Sequence, residues 1–365
     1  MAEPKRSRTL RAVAWGAGTA AAVVAAGVAA ERLAVRRLRP RHDPEADEPL
    51  GTLPPDDLGR VRSSDGTELR VRAAGPPDAP ALVFVHGITL DLTTWYYQWR
   101  TFSDRYRCVL YDQRAHGASS RPPDDDYSLT AMGHDLKAVL DRAVPEGPAI
   151  LIGHSLGGMA ILAFAERYPE EMGGRVAGVV LADTAASDVL REAFGALGAT
   201  VGRGLRRLGT RYRARIDTAE RLQRAVRRFG VDLSYLVARA TNFGPDASPS
   251  QVDHVTRVSM AAPAEVWVHT LQDVLELDLR HVLEHVTVPA LVIVGDRDLV
   301  TPKASAQALR SALPDARAVV ITRAGHLSMM EQHERFDEVL DAFLAEVVPP
   351  TARSRRRRGR ASSRA

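Results

Sequence analysis

In the stretch AILIGHSLGGMAILAFAERYPE, residues 149–170, one serine sits among three glycines that clear away the neighbouring side chains. Gly153, Ser155 and Gly157 satisfy G-x-S-x-G. An apolar run precedes them, and a helix-like sequence with Gly158 near its start follows. That context marks a nucleophile elbow, a strained strand-to-helix turn whose small flanking residues let the helix pack on the strand while the serine Oγ projects alone. A serine hydroxyl is a weak nucleophile without a base, so the same chain should hold a histidine to take its proton and an acid to orient that histidine.

Of the eleven histidines, His326 in AVVITRAGHLSMMEQHERF ends an apolar run just before the last helical stretch, which places it in a loop at the edge where Ser155 emerges. His333 falls within the following helix as a surface residue, and His154 adjoins the serine but points away from it. For the acid, ALVIVGDRDLVTP ends a strand with Asp296 and Asp298. Asp298 is the preferred acid, Asp296 is read as structuring the loop, and Asp183 is a third option. A tetrahedral oxyanion would need two donors. The backbone N–H of Leu156, in the first turn of the helix after the serine, and that of Ile88, in a loop shaped by His86 and Gly87, are the candidates.

These residues require a framework that brings strand ends together. RVRSSDGTELRVRAAG alternates about Asp65-Gly66 as a hairpin does, and ALVFVHG, RCVLYDQ, AILIGHS, VAGVVLAD, ALVIVGD and RAVVIT are short apolar runs separated by helix-like stretches. Such runs predict an α/β fold whose mostly parallel twisted sheet is flanked by helices on both faces. Ser128 caps one predicted helix, and Pro302 suits the first position of another. Between residues 185 and 279 the alternation gives way to helical sequence, including the arginine-dense GRGLRRLGTRYRARIDTAERLQRAVRRFG; an inserted helical lid over the sheet's carboxyl edge is expected there. The core then comprises residues 59–184 and 280–348.

The remainder lies outside this body. The uncharged run AVAWGAGTAAAVVAAGVAA, residues 12–30, would reach about 28 Å as a helix, close to the hydrocarbon thickness of a bilayer. Residues 1–39 are therefore read as an N-terminal membrane anchor, with a cleaved secretory signal as the alternative. Basic residues bracket the run on both sides, so charge does not choose an orientation. Residues 40–58, rich in proline and acid, read as an extended linker, and residues 349–365 as a basic disordered tail. The net charge of +4 is concentrated in the ends and the arginine-dense stretch, and no specific nucleic-acid partner is implied. The one cysteine, Cys108, excludes an internal disulfide and lies in an apolar run as a buried residue would.

HG at 86–87, YDQRAHGAS at 111–119, GHSLGG at 153–158, GDRDLVTP at 295–302 and GH at 325–326 occur in order. On these motifs residues 60–345 resemble the α/β-hydrolase superfamily, in its lidded esterase, lipase and haloperoxidase-like branch. The resemblance implies a catalytic triad of Ser155, Asp298 and His326, no metal or organic cofactor, and a small hydrophobic ester as substrate. Serine at the elbow, where epoxide hydrolases and haloalkane dehalogenases of this fold carry aspartate, implies an acyl-enzyme. Perhydrolysis and carbon–carbon hydrolysis by the same triad remain alternatives, as does a non-catalytic scaffold that binds a hydrophobic ligand or partner. Ala115 departs from the glycine usual in its loop. His281, Glu284 and His285 also match the H-x-x-E-H pattern of an inverted zinc site, but no supporting ligand is evident, and a partly exposed helix end is the preferred reading.

Overall fold

The computed structural model describes residues 42–187, 231–275 and 277–348, together with Leu33 and Val35. The alternating hairpin forms as β1 (Asp56–Arg62) and β2 (Glu68–Ala74), paired antiparallel. Gly66 turns the chain at φ 91°, and Asp65 accepts the amide of Thr67. Each of the six apolar runs then becomes a strand: β3 (Ala81–Val85), β4 (Arg107–Tyr111), β5 (Ala149–His154), β6 (Val176–Ala182), β7 (Ala290–Gly295) and β8 (Ala316–Ile321). All join one sheet in the order β1-β2-β4-β3-β5-β6-β7-β8, parallel from β4 onward. The central strands β3, β5 and β7 are buried at every position, which is why they read as unbroken apolar runs rather than alternating ones.

Helices cover both faces. α1 (Tyr96–Phe102) follows β3, and α2 (Leu129–Ala143) is capped by Ser128, whose side chain accepts the amide of Ala131. α3 (Leu156–Arg167) leaves the elbow, and its first ten residues are all buried. After β6 come α4 (Val231–Asn242), α5 (Pro249–Ala261) and α6 (Ala264–Leu275). A capping box of Ser248 and Gln251 starts α5. α7 (Lys303–Ala312) starts one residue after Pro302, which occupies the capping position rather than the first helical one. A single turn, α8 (Ser328–Glu331), and the last helix, α9 (His333–Val347), complete the body. The arginine-dense stretch and the tail at 349–365 lie outside the described residues.

Other expectations change as well. The run at residues 12–30, read as a membrane-spanning helix, also lies outside the described residues. Among those described, no helix is long and apolar enough to cross a membrane. The longest, α2 and α9, have 15 residues, about 22 Å against a ~30 Å hydrocarbon core, and each packs one apolar face on the sheet. No described helix therefore supplies the membrane span expected from the sequence. Residues 42–52, expected as part of an extended linker, instead lie strapped across the body. Asp43 accepts the amide and the hydroxyl of Ser250 in the first turn of α5 (3.0 and 2.7 Å). Tyr97 and Tyr96 donate their hydroxyls to Glu45 (2.8 Å) and Glu48 (2.7 Å), and Leu50 is buried. His333 is the first residue of α9 and stacks on Tyr97 with ring centroids 3.8 Å apart, so it is half covered rather than a free surface group.

Candidate active site

The carboxyl ends of β3, β5, β6, β7 and β8 lie side by side, and every site residue expected from the sequence is found in the turns that leave them. At the end of β5, Ser155 adopts φ 52° and ψ −118°, a left-handed conformation that a non-glycine residue holds only under constraint. The constraint is close packing. A Cβ on Gly157 would come 2.1 Å from the carbonyl oxygen of Val85, and one on Gly153 would come 2.6 Å from the backbone of Gly157. Gly158 makes room for Thr184, whose hydroxyl donates to the carbonyl of Ser155 at 2.7 Å. The amide of Ser155 in turn donates to Ala182 at 3.0 Å.

The structure brings the three expected triad residues together. Ser155 Oγ lies 3.0 Å from His326 Nε2, and His326 Nδ1 lies 2.9 Å from Asp298 Oδ2. A carboxylate can only accept, so Nδ1 carries the proton and Nε2 is left to accept from the serine. Asp298 is itself fixed: Oδ1 accepts the amides of Val300 and Thr301 (2.7 and 2.9 Å), and Oδ2 accepts the Thr301 hydroxyl (2.7 Å). Burial works against the charge on Asp298, but His326 and these donors outweigh it and hold the carboxyl below the usual range. Burial likewise disfavours imidazolium at His326, and the facing Asp298 carboxylate overcomes it, so its pKa is raised above 6.5.

The other acids do different work. Asp296 accepts the amide of Arg323 at 2.7 Å, a loop-structuring contact as expected. Asp183 does not reach a ring nitrogen. It accepts the amide of Gly295 (2.9 Å) through one oxygen and both the amide and hydroxyl of Ser328 (3.2 and 2.5 Å) through the other, tying β6 to the segment behind His326. Burial and the nearby Asp298 push its pKa up to about 7. His154 points away from the serine and donates through Nε2 to the carbonyl of His326 at 2.7 Å.

The loop after β3 is braced by two histidines. His86 donates to the carbonyl of Gly87 (2.8 Å) and accepts the amide of Gln113 (3.0 Å). His116 donates to the carbonyl of Arg114 (2.8 Å) and accepts the amide of Thr89 (3.0 Å). Each ring thus spends one nitrogen as donor and one as acceptor, the pattern of neutral imidazole. Full burial enforces it, lowering the two pKa values to about 4 and about 3. Ile88 lies between the two braced residues, and Gly87 backs so closely on the elbow that a Cβ there would come 2.7 Å from His154 Nδ1 and 3.2 Å from Ser155 Cβ. Among the described residues no protein acceptor takes the N–H of Ile88 or of Leu156. The role of His116 was missed in the sequence, although it lies within the quoted YDQRAHGAS motif.

Ala115, the departure from the expected glycine, sits at φ 59° with its amide on Ser120. The left-handed region favours glycine, and alanine there stores about 1 kcal/mol of strain. The loop tolerates it because the buried guanidinium of Arg114 forms a two-point pair with Asp135 (2.7 Å each) and reaches Asp65 (2.9 Å). His281 of the zinc-like pattern lies in a 3-10 turn (Arg280–His285) and meets Glu166 at 3.0 Å. Among the described residues no three acidic, histidine or cysteine side chains gather as metal ligands would. Cys108 is buried in β4, and burial pushes its thiol pKa up.

Comparison with known proteins agrees with this geometry. A family model described as alpha/beta hydrolase fold matches residues 80–332. The chain is 29% identical over 274 residues to 3-oxoadipate enol-lactonase 2 of Acinetobacter baylyi, covering 74% of this chain and 90% of that protein. It is 29% identical over 257 residues to a non-heme chloroperoxidase of Streptomyces lividans, covering 68% and 85%. Among solved structures, a thermophilic esterase from Thermogutta terrifontis superposes with a TM-score of 0.63 at 26% identity, covering 80% of this chain and 99% of that one. With a mostly parallel eight-stranded sheet, flanking helices and a matched family model over most of its body, the chain belongs to the α/β-hydrolase superfamily, a family of hydrolases.

Proposed function

We propose that this hydrolase cleaves carboxylic esters whose acyl or alcohol part is apolar, through an acyl-enzyme on Ser155. The observation that carries the reading is the continuous chain of contacts from Ser155 Oγ to His326 Nε2 (3.0 Å) and from His326 Nδ1 to Asp298 (2.9 Å). Ser155 Oγ attacks the ester carbonyl while His326 Nε2 takes its proton. The oxyanion so formed accepts from the N–H groups of Leu156 and Ile88. As the tetrahedral intermediate collapses, His326 gives its proton to the leaving alcohol. Water then attacks the acyl carbon, losing a proton to His326, which returns it to Ser155 as the acid departs. Asp298 holds the ring in the required tautomer and stabilises the imidazolium.

Ile88 packs with Ala115, Tyr127 and Val266 of α6, which supports an apolar wall beside the oxyanion donors. In this reading the insertion after β6 acts as a lid that shapes the pocket. The chloroperoxidase relative favours a second reading, peroxide in place of water as acyl acceptor, with the same triad.

Hydrolysis of a short-chain aryl ester by the purified protein tests the proposal. Ser155→Ala should lower kcat by about 10⁴-fold or more and abolish labelling by a fluorophosphonate. Undiminished turnover in that variant overturns the assignment.

A further inference from the structure

The backbone around His326 is gripped by parts of the chain far from it. His154 takes its carbonyl, and the carbonyl of Asn242, at the end of α4, accepts the amides of His326 and Leu327 (2.8 and 3.2 Å). The residue before it, Gly325, donates its amide to Glu331 Oε1 at 2.7 Å, and Glu331 Oε2 accepts the amide of Gly244 at 2.5 Å. One buried carboxylate thus joins the histidine loop to the segment that follows α4. Nothing lies between the two loops. A Cβ on Gly325 would come 2.6 Å from the backbone of Phe243, and one on Gly244 would come 2.2 Å from the carbonyl oxygen of Arg323.

Burying this carboxylate is unfavourable, and burial pushes its pKa up to about 8 despite the two amides. Asp183 adds like charge from one side. Arg239, the nearby cation, places its guanidinium on the carbonyls of Phe243, Gly244 and Pro245 instead. An apolar side chain would fill the same space at less expense, so the two amide contacts are what the carboxylate supplies.

We propose that Glu331 is a positioning residue for catalysis: it clamps the His326 loop to the Asn242–Gly244 segment of the insertion and thereby sets Nε2 against Ser155 Oγ. The insertion then serves as part of the mount for the base as well as a cover. The inference rests on the proposed role of His326. The neutral amide of Glu331→Gln keeps the shape but presents an NH₂ to one of the two N–H groups, so that contact is replaced by donor against donor while the carboxamide oxygen keeps the other. Gly244→Ala separates the same two loops sterically, leaving Glu331 in place.

Misplacement of a catalytic group by about 1 Å can reduce rate 10²-fold. Glu331→Gln and Gly244→Ala should each lower kcat on an aryl ester by about 10- to 100-fold, with KM changed less than about 2-fold. Because both break one contact, the double variant should lose little more than either alone. Proton NMR supplies a readout independent of turnover: the far-downfield resonance of His326 Nδ1–H should shift or broaden in both variants. If Glu331→Gln fails to fold, Gly244→Ala carries the same expectations. A wild-type protein without esterase activity or phosphonate labelling removes the ester reading but leaves the NMR test of the clamp in force. Folded variants with wild-type kcat and an unmoved Nδ1–H resonance, or with losses confined to KM, overturn the inference.

Discussion

Replacing Asp298 by asparagine tests the triad at its least accessible member, and the structure dictates how the new side chain must sit. Oδ1 of Asp298 accepts two backbone amides, from Val300 and Thr301, whereas Oδ2 faces His326 Nδ1 and the rotatable hydroxyl of Thr301. An asparagine NH₂ placed toward the two amides would set donor against donor at a buried position. The carboxamide oxygen therefore stays at the Oδ1 site, and the NH₂ points at His326 Nδ1. That nitrogen must then accept, the ring proton moves to Nε2, and the base toward Ser155 is replaced by a donor. The corresponding exchange in serine-protease triads lowers turnover about 10⁴-fold. Here it should remove about 5 kcal/mol of transition-state stabilisation, with little change in KM. Rates of aryl ester hydrolysis measured against pH, with a thermal melt as a control for folding, would check it. A folded Asp298→Asn protein that keeps more than about a tenth of wild-type kcat would refute both the tautomer argument and the role of Asp298.

Only neutral His326 can accept the serine proton, and its pKa lies above 6.5 because the Asp298 charge prevails over burial. kcat/KM should therefore fall as pH drops through a midpoint above 6.5, and removing the Asp298 charge should move that midpoint down. A Gly157→Ala protein should be destabilised by about 3 kcal/mol or more, since its methyl meets backbone at Val85 and His86 rather than a side chain that could turn aside. Chemical denaturation measures the loss, and a variant as stable as wild type contradicts the close packing at the elbow.

Much of the site was legible because the fold places its chemistry where the sequence punctuates. Strands buried on both faces, β3, β5 and β7, leave unbroken apolar runs, and four of the six runs end at a loop of the candidate site: Gly87 after β3, Ser155 after β5, Asp298 after β7 and His326 after β8. Asp298 could be preferred to Asp296 from sequence, but the separate work of Asp183 could not be read, because its partners are 112 and 145 residues away. The same holds for His116, whose bond to Thr89 spans 27 residues, and for Glu331, whose bond to Gly244 spans 87. Local patterns report periodicity and turns; they carry no record of which distant amide a buried side chain will meet. The acidic strap misled for a related reason. Proline and carboxylates read as solvated chain, while the hydroxyls of Tyr96 and Tyr97 that satisfy Glu48 and Glu45 lie some fifty residues on.

That strap determines where the folding unit begins. Cutting the chain at residue 59, where composition places the boundary, would strip Leu50 from its apolar site, take Asp43 from the start of α5 and leave the hydroxyls of Tyr96 and Tyr97 without their carboxylates. Since α5 also meets the segment after β3, through Ser259 at Thr89 and His254 at Thr93, the damage would propagate to the turn that carries Ile88. A shortened protein that keeps the catalytic body intact should start upstream of His42.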